Sequence, residues 1–363
     1  MNKIIYLDAA ASALKTEAVI EAEVDFLRNK YANAGRGICA RAAAVDDMVS
    51  AARAAVAEFM GARAAQIVFT AGATDGLNRV ARMAGAGRGV RVAVSDLDHH
   101  SARMPMAASG ADIVTIGLDE NHDYDLGCVP ECDIIVITAM SNVFGRPQNV
   151  AAVVAAAREK NPNVIAVVDA AQYAAHMRMD AAAWDADFVC FSGHKIGADT
   201  GLGIMYVKEP LRWAPDKFGG GMVNKITDAE WIFNDAPERF EAGTLPLTQI
   251  AGLRPALDSW RPDAGAGVMR ALYDALAKNP RIKIYTTPGA SVLTFSVDGM
   301  HALDFGALCG ARGLCLRVGN MCATWAMRLI NAPAGGVARL SAGAWNTADD
   351  AARAADIING IVK

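Results

Sequence analysis

The amino-acid sequence predicts an α/β protein with a large, mostly parallel sheet of seven strands and a smaller α+β unit at the C-terminal end. Two observations predict this fold class. Short apolar runs rich in β-branched residues recur between positions 66 and 207, as expected for strands buried on both faces. Segments with helical spacing separate several of these runs, and such alternation is typical of a parallel sheet covered by helices on both faces.

The elements follow in order along the chain. Apolar residues at helical spacing from Val45 to Met60 predict a helix, which Gly61 ends. Helices are also expected over residues 75–83 and 150–160. The expected strands share a short length and a high apolar content, and they cover residues 66–70, 90–95, 112–116, 133–138, 164–169, 188–192 and 203–207.

The point at which the alternation of strands and helices stops indicates how the chain divides into domains. The alternation fades after Thr248, and the stretch 261–267 is rich in proline and glycine, as a joint between domains would be. We therefore expect a large domain over residues 13–258 and a small domain made of residues 1–12 and 259–363.

The composition narrows the class of protein. The 363 residues carry a formal net charge of −4 without a Lys/Arg block, which disfavours nucleic acid and anionic membrane surfaces as partners. The N-terminal segment has no signal-peptide pattern, and the apolar runs are far shorter than the roughly 20 residues of a membrane helix. Seven irregularly spaced cysteines fit neither a disulfide framework nor a zinc site. We therefore expect a soluble, cytoplasmic protein with no metal.

A glycine-led loop follows the first expected strand of the sheet. Its sequence is Gly72-Ala73-Thr74-Asp75-Gly76, and it opens a helix. Free backbone N–H groups and the positive end of a helix dipole form an anion site, to which Thr74 adds a hydroxyl. The alternative is an ordinary helix start with Thr74 or Asp75 as the N-cap.

Two later strands also end in polar residues. Asp169 ends a run of five apolar residues, where it either caps the next turn or pairs with the protonated ring nitrogen of a bound pyridine. Ser192-Gly193-His194-Lys195 ends the next strand and is followed by a loop of small residues. A lysine in a desolvated site loses its proton and can form a Schiff base, and Ser192 and His194 can hold a phosphate.

The pair His99-His100 follows the strand expected over residues 90–95. It is either a surface pair or a source of one ring that stacks on an aromatic cofactor. Taken together, the strand ends supply a phosphate cradle, a stacking ring, an anion for a ring nitrogen and a Schiff-base amine. Pyridoxal 5′-phosphate is the cofactor that needs this set.

On these motifs the chain resembles the class V aminotransferase family of fold type I pyridoxal-phosphate enzymes, and within it the SufS-type cysteine desulfurases and related selenocysteine lyases. The resemblance runs almost end to end. Its motifs are Tyr6-Leu7-Asp8-Ala9-Ala10-Ala11-Ser12, Arg36-Gly37, the residues 69–78, Ser141-Asn142-Val143-Phe144-Gly145, Val168-Asp169-Ala170-Ala171-Gln172, Phe191-Ser192-Gly193-His194-Lys195, the residues 239–244, the residues 317–323 and Arg339-Leu340-Ser341.

The resemblance implies a set of cofactor-binding residues. Lys195 would carry the cofactor and move protons, Asp169 would pair with its ring nitrogen, and His99 would stack on its ring. The full implied set is Ala73, Thr74, His99, Asn142, Asp169, Gln172, Ser192, His194, Lys195 and Thr244. Thr244 would reach the phosphate bound by the other subunit, which implies a homodimer.

The resemblance also implies a substrate and a reaction. The implied substrate-binding residues are Ala11, Asn142, Arg317 and Arg339, with the Arg339 guanidinium on the substrate carboxylate. Cys322 would accept the sulfur of L-cysteine as a persulfide and L-alanine would be released, which makes Lys195, Cys322 and His99 the implied catalytic residues. The resemblance further implies a partner protein that accepts the sulfur from Cys322, as in iron–sulfur cluster assembly.

Several positions depart from the family pattern, among them Gly197-Ala198-Asp199 in the loop after Lys195, where the family usually has Tyr-Gly-Pro. Asn320 and Met321 stand where the family has two histidines before the cysteine, and Gly35 stands where it often has a histidine. These departures keep two alternatives open. One is another class V reaction that leaves Cys322 unused: transamination, selenocysteine lysis or epimerisation. The other is a non-catalytic protein with the same fold.

Overall fold

The computed structural model of the protein describes residues 4–35 and 37–363, so that Arg36 of the motifs above lies outside the described residues. The strands of this part of the chain are β1 (Ile5–Tyr6), β2 (Ile67–Thr70), β3 (Arg91–Val94), β4 (Asp112–Thr115), β5 (Ile134–Thr138), β6 (Ile165–Asp169), β7 (Phe188–Ser192), β8 (Gly203–Val207), β9 (Val223–Ile226), β10 (Trp231–Phe233), β11 (Ile282–Ile284), β12 (Leu293–Val297), β13 (Leu314–Cys315), β14 (Arg317–Gly319) and β15 (Val337–Leu340).

The helices cover both faces of the larger sheet and one face of the smaller one. They are α1 (Glu17–Asp25), α2 (Ala40–Phe59), α3 (Ala73–Met83), α4 (His100–Ala108), α5 (Val150–Lys160), α6 (Tyr173–His176), α7 (Leu247–Ser259), α8 (Ala266–Leu276), α9 (Ala302–Ala311), α10 (Thr324–Leu329) and α11 (Ala348–Ile361). The described residues include no helix that is both long and apolar enough to cross a membrane.

The large sheet confirms the seven strands expected from the sequence. Its order is β2-β8-β7-β6-β5-β3-β4, and the pairs are parallel except those that β8 makes with β2 and β7. The observed strands begin or end within one residue or so of the expected ones. Helix α5 spans the residues expected, whereas α2 and α3 begin earlier, at Ala40 and Ala73.

Strand β5 shows why the apolar runs are nearly continuous. All five of its residues are buried. Ile135 and Ile137 pack into one hydrophobic cluster, whereas Ile134 and Val136 pack into another on the opposite face. A strand covered by helices on both sides needs apolar residues at both phases of its two-residue period, so the alternation typical of half-exposed strands is absent here.

A second sheet, β11-β12-β15-β14, is antiparallel and forms a separate cluster of apolar side chains with α8, α9 and α11. Strand β1 joins this C-terminal part by pairing in parallel with β13. The chain connecting α7 to α8 is shorter than the joint expected over 261–267, because α8 already begins at Ala266. The exact division into two domains stays a prediction.

A buried ion pair fixes the segment that precedes Thr244. Arg53 of α2 donates to both carboxylate oxygens of Glu241 at 2.7 and 2.8 Å, and to the carbonyl oxygen of Ile67 at 2.7 Å. The backbone N–H of Phe69 donates to the same carboxylate at 2.7 Å. The charges of both side chains are therefore paired and hydrogen bonded, as buried charges must be.

Candidate active site

One cavity of about 580 Å³ gathers nearly all the residues predicted for the site. It lies where the strands β5, β6 and β7 end, as ligand sites of open α/β sheets do. The predicted residues that line it are Ala11, Ala73, Thr74, His99, Asn142, Asp169, Gln172, Ser192, His194, Lys195, Arg317, Cys322 and Arg339. Thr244 is exposed and does not line the cavity of its own chain.

Lys195 lies in a short 3₁₀ turn directly after β7, and its amine donates a hydrogen bond to the carbonyl oxygen of Ala10. Burial, together with the nearby cation of Arg339 and against the opposing carboxylate of Asp169, lowers the pKa of this amine to about 8. A sizeable fraction of the amine is therefore neutral near pH 8, which is the form that attacks a carbonyl group.

Asp169 is the last residue of β6 and is paired in the sheet with Thr138 of β5 and Cys190 of β7. One of its oxygens accepts a hydrogen bond from the backbone N–H of Ala171 at 3.0 Å. Asp169 therefore does cap the turn that follows β6, as one of the two alternatives expected. The side chain is nevertheless buried on the cavity, and burial raises its pKa, so that a cationic partner would stabilise the ionised form.

The start of α3 lies on the cavity, where the cradle is expected, and its N-cap differs from the expected alternative. Gly72 is the N-cap with φ +153°, and neither Thr74 nor Asp75 takes that position. The backbone N–H of Ala73 donates to Ser192 Oγ at 2.8 Å. A Cβ added at Gly203 would lie 2.4 Å from the Cα of Gly72, so only glycine lets strand β8 approach this loop.

His194 completes the cradle from the other side of Ser192. Its Nδ1 atom is buried and finds no hydrogen-bond partner among residues 4–35 and 37–363. Burial lowers the pKa of His194 to about 4, so the ring is neutral at physiological pH. A neutral ring nitrogen that carries a proton can still donate to an anion, and an unpartnered buried nitrogen calls for such a ligand.

His99 is the N-cap of α4 and not part of a surface pair. Its Nδ1 atom accepts from the backbone N–H of Ser101 at 3.2 Å and lies 2.8 Å from Ser101 Oγ, which places the proton of the neutral ring on Nε2. Burial, reinforced by the amine of Lys195, lowers the pKa of His99 to about 4. A flat, neutral ring therefore lines the cavity next to Lys195.

Asn142 and Gln172 each use one side of their amide group and leave the other free. Asn142 Nδ2 donates to the carbonyl oxygen of Met321 at 2.7 Å, and Gln172 Nε2 donates to that of Ala10 at 2.8 Å. The oxygen of each amide is buried and has no partner in the described part of the chain. Both residues therefore have an unused acceptor in the wall of the cavity.

Arg339 and Arg317 converge on Asp8, a residue whose function the sequence analysis missed. Arg339 donates to Asp8 Oδ1 at 3.2 Å and to the carbonyl oxygen of Asn142 at 3.1 Å. Arg317 lies 3.2 Å from Asp8 Oδ2. Two cations against one anion leave one positive charge, which suits a substrate with one carboxylate. The signals in the sequence were a charged residue after a short apolar run and its place in the motif Tyr6–Ser12.

Cys322 lies in the loop between β14 and α10 and is exposed, on the same cavity as Arg317 and Asn320. Met321 before it is buried, and both residues have positive φ, +54° for Met321 and +52° for Cys322. The thiol is therefore carried by a backbone conformation that residues other than glycine rarely adopt. Gly35, which stands where the family often has a histidine, has φ +94° and lies outside the cavity.

The cavity fits pyridoxal phosphate on three observations from its own residues. Lys195 supplies an amine that loses its proton at moderate pH, and Asp169 supplies a buried carboxyl whose ionised form needs a cation. The start of α3 with Ser192 and His194 supplies an anion cradle. The unpartnered amide oxygens of Asn142 and Gln172 remain for the polar groups of the ring or of the amino acid.

Comparison with known proteins gives the family. The family model of the class V aminotransferases matches residues 5–353. The chain is similar to a probable cysteine desulfurase of Vibrio cholerae serotype O1, with 33% identity over 375 residues that cover 97% of this chain and 92% of the relative. It is also similar to a cysteine desulfurase of Klebsiella pneumoniae subsp. pneumoniae, with 34% identity over 374 residues, which cover 96% and 91%.

Solved structures agree with this result. The cysteine desulfurase CsdA from Escherichia coli has a TM-score of 0.89 and 30% identity, with 98% of this chain and 94% of that chain covered. The cysteine desulfurase from Thermococcus onnurineus NA1 has a TM-score of 0.92 and 26% identity, with 99% and 94% covered. These likenesses confirm the expected type I fold of pyridoxal-phosphate enzymes. On its sequence, its fold and its site, the chain belongs to the class V aminotransferase family.

Proposed function

We propose that the protein is a pyridoxal-phosphate-dependent cysteine desulfurase, which transfers the sulfur of L-cysteine to Cys322 and releases L-alanine. The observation that carries the proposal is the position of Cys322 on one cavity with Lys195, Asp169 and Arg339. The similar proteins from Vibrio cholerae, Klebsiella pneumoniae and Escherichia coli are named cysteine desulfurases, which supports the same reaction here.

The cofactor would be held by the residues that fit it. Lys195 would bind its aldehyde carbon, Asp169 its ring nitrogen, His99 its ring face, and the start of α3 with Ser192 and His194 its phosphate. When bound, pyridoxal phosphate supplies a ring that withdraws electrons from the Cα of an amino acid. Asp169 would keep that ring protonated, because a buried carboxylate stabilises a cationic partner.

Of the residues around the substrate, Arg339 would bind it and Lys195 would transfer a proton. Arg339 would bind the carboxylate of cysteine, since its Nε is buried without a partner in the described residues and its other nitrogens are held by Asp8 and Asn142. Lys195 would take the proton from Cα, because its low pKa makes the amine a base at moderate pH.

Cys322 would perform the sulfur transfer as a thiolate. Its sulfur forms a bond to the sulfur of the substrate while the bond between that sulfur and the substrate Cβ breaks. The electron pair of the broken bond stays on the carbon side. Protonation of Cβ completes the methyl group, and return of a proton to Cα completes alanine. The persulfide then lies on an exposed residue, where an acceptor protein can reach it.

A homodimer is part of the proposal. Thr244 is exposed, and the backbone N–H of Gly243 beside it donates to the carbonyl oxygen of Gly220 at 2.8 Å, close to the hairpin of β9 and β10. The large apolar side chains of this region are exposed, with Phe218 at 60%, Ile226 at 68% and Trp231 at 64%. An exposed apolar patch beside a residue expected to reach a second cofactor supports a second copy of the chain as its partner.

We also propose a cytoplasmic location. All seven cysteines are free thiols in the structure, as is usual in a reducing compartment. Fractionation of the cells that make the protein tests this location.

The acceptor protein is tested separately, by following the transfer of labelled sulfur from Cys322 to an added protein thiol.

The first prediction concerns Cys322. Cys322→Ser should retain the visible absorbance of the bound cofactor, because no residue of the cofactor cradle changes. It should lower the formation of alanine from L-cysteine by more than about a hundredfold, because the sulfur has no acceptor. Cys128→Ser, which changes another exposed cysteine, should leave the rate unchanged. Full turnover in Cys322→Ser would instead favour a class V reaction that leaves this thiol unused.

The second prediction concerns the pH dependence of cofactor binding. Because the pKa of Lys195 is lowered to about 8, the neutral amine should increase about tenfold per pH unit below that value and level off above it. The rate at which cofactor-free protein gains visible absorbance from added pyridoxal phosphate should follow this curve. His99 and His194, with pKa values of about 4, do not titrate in this range. A rate that keeps rising to pH 10 would contradict this prediction, because it would show that the amine of Lys195 has an unshifted pKa.

The third prediction concerns assembly. Light scattering should give the mass of two chains, and Trp231→Glu should shift it toward one chain, because a charge is placed on the exposed apolar patch. Glu238→Gln, an exposed change outside the patch, should keep the dimer. A fully active protein with the mass of one chain would contradict the homodimer.

A further inference from the structure

The loop that carries Cys322 has an unusual backbone. Met321 and Cys322 are consecutive residues with φ values of +54° and +52°. A side chain disfavours this left-handed region, and two such residues in a row persist only where the surroundings hold them. Something outside the loop must therefore stabilise this conformation.

Two hydrogen bonds hold the carbonyl oxygens of these residues. Asn142 Nδ2 donates to the carbonyl oxygen of Met321 at 2.7 Å. The backbone N–H of His100, the first residue of α4, donates to the carbonyl oxygen of Cys322 at 2.8 Å. The conformation of the loop is thus tied to α4 and to the loop after β5, which both line the cavity.

The ring of His100 adds a second anchor one step further along the chain. Its Nε2 atom accepts from the backbone N–H of Thr324 at 3.3 Å and lies 3.0 Å from Thr324 Oγ1. The rings of Trp325 and His100 form a T-shaped contact, with 5.5 Å between the centroids. The Arg103 guanidinium lies 4.3 Å from the centroid of the Trp325 ring.

These contacts give His100 a task that differs from that of its neighbour. Both residues line the cavity, but His99 lies beside Lys195, whereas His100 bonds to the backbone on both sides of Ala323. The start of α4 therefore positions both the His99 ring and, through His100, the loop that carries Cys322.

We propose that His100 is a positioning residue for sulfur transfer, which holds residues 321–324 in the conformation that presents the Cys322 thiol to the cavity. The inference rests on the proposed desulfurase function and assigns a residue to its sulfur-transfer step. His100 acts through the backbone of Cys322 and Thr324. The correct placement of a reacting atom affects the rate more than the binding of the substrate.

The chemistry of the anchor defines the variants that test it. Because Nε2 accepts a backbone hydrogen bond, the neutral ring carries its proton on Nδ1. The amide oxygen of glutamine can take over the acceptor role, whereas phenylalanine fills a similar volume and retains the contact with Trp325 but accepts nothing. The backbone N–H of residue 100 remains in every variant, so these substitutions isolate the bond to Thr324.

The experiment compares His100→Phe, His100→Gln and Thr324→Val in the cofactor-loaded enzyme with L-cysteine. His100→Phe should lower kcat about tenfold, the loss expected for one or two hydrogen bonds, with KM within about twofold and the cofactor spectrum unchanged. His100→Gln should recover most of kcat. Thr324→Val, which keeps the backbone N–H, should lower kcat by less than about threefold.

Two kinetic results would overturn the proposal: wild-type kcat in His100→Phe, or a His100→Gln enzyme as slow as His100→Phe. Should His100→Phe fail to fold, His100→Ala takes its place in the comparison.

A second readout does not depend on turnover. The rate at which iodoacetamide alkylates Cys322, followed by mass spectrometry, should change at least about threefold in His100→Phe and return in His100→Gln. A wild-type enzyme that forms no alanine from cysteine would contradict the proposed function, and the alkylation rates would still decide whether His100 holds the loop. Equal alkylation rates in all variants would show that it does not.

Discussion

The burial of one amine, that of Lys195, determines what the rest of the site can do. An amine with its ordinary pKa of 10.5 would be protonated and inert toward a carbonyl group at neutral pH. The apolar strands β5, β6 and β7 end together, and this places Lys195 and Asp169 at one buried edge of the sheet. Burial lowers the pKa of the amine, which favours its neutral form. Burial also raises the pKa of the carboxyl, so a protonated ring nitrogen beside Asp169 would stabilise its ionised form.

The N-terminal segment completes this arrangement from the other side. The carbonyl oxygen of Ala10 accepts from both Lys195 and Gln172, and the backbone N–H of Ala10 donates to Ser341 Oγ at 2.8 Å. Asp8, in the same segment, bonds to the guanidinium groups of Arg339 and Arg317. A stretch that pairs with strand β13 of the C-terminal part therefore positions both the amine and the two cations for the substrate carboxylate.

Much of the fold and of the cofactor cradle could be predicted from local patterns. Continuous apolar runs marked the seven strands, and polar residues at their ends marked Lys195, Asp169 and Ser192. Asp8 could not be assigned in this way, because its bond to Arg339 joins residues 331 positions apart. The His100 anchor was missed for a different reason, since the left-handed conformation of Met321 and Cys322 contradicts their local preference and is imposed by tertiary contacts. Thr244 stays a prediction, because its expected role depends on a second chain.

The central claim is that Lys195 is the amine that holds the cofactor, and chemical reduction tests it most directly. Borohydride treatment of the cofactor-loaded protein should fix pyridoxal phosphate covalently on that amine. Proteolysis and mass spectrometry should then find the added mass on the peptide that contains Lys195, and on none in Lys195→Ala. A label on a different lysine in the wild-type protein would contradict the account.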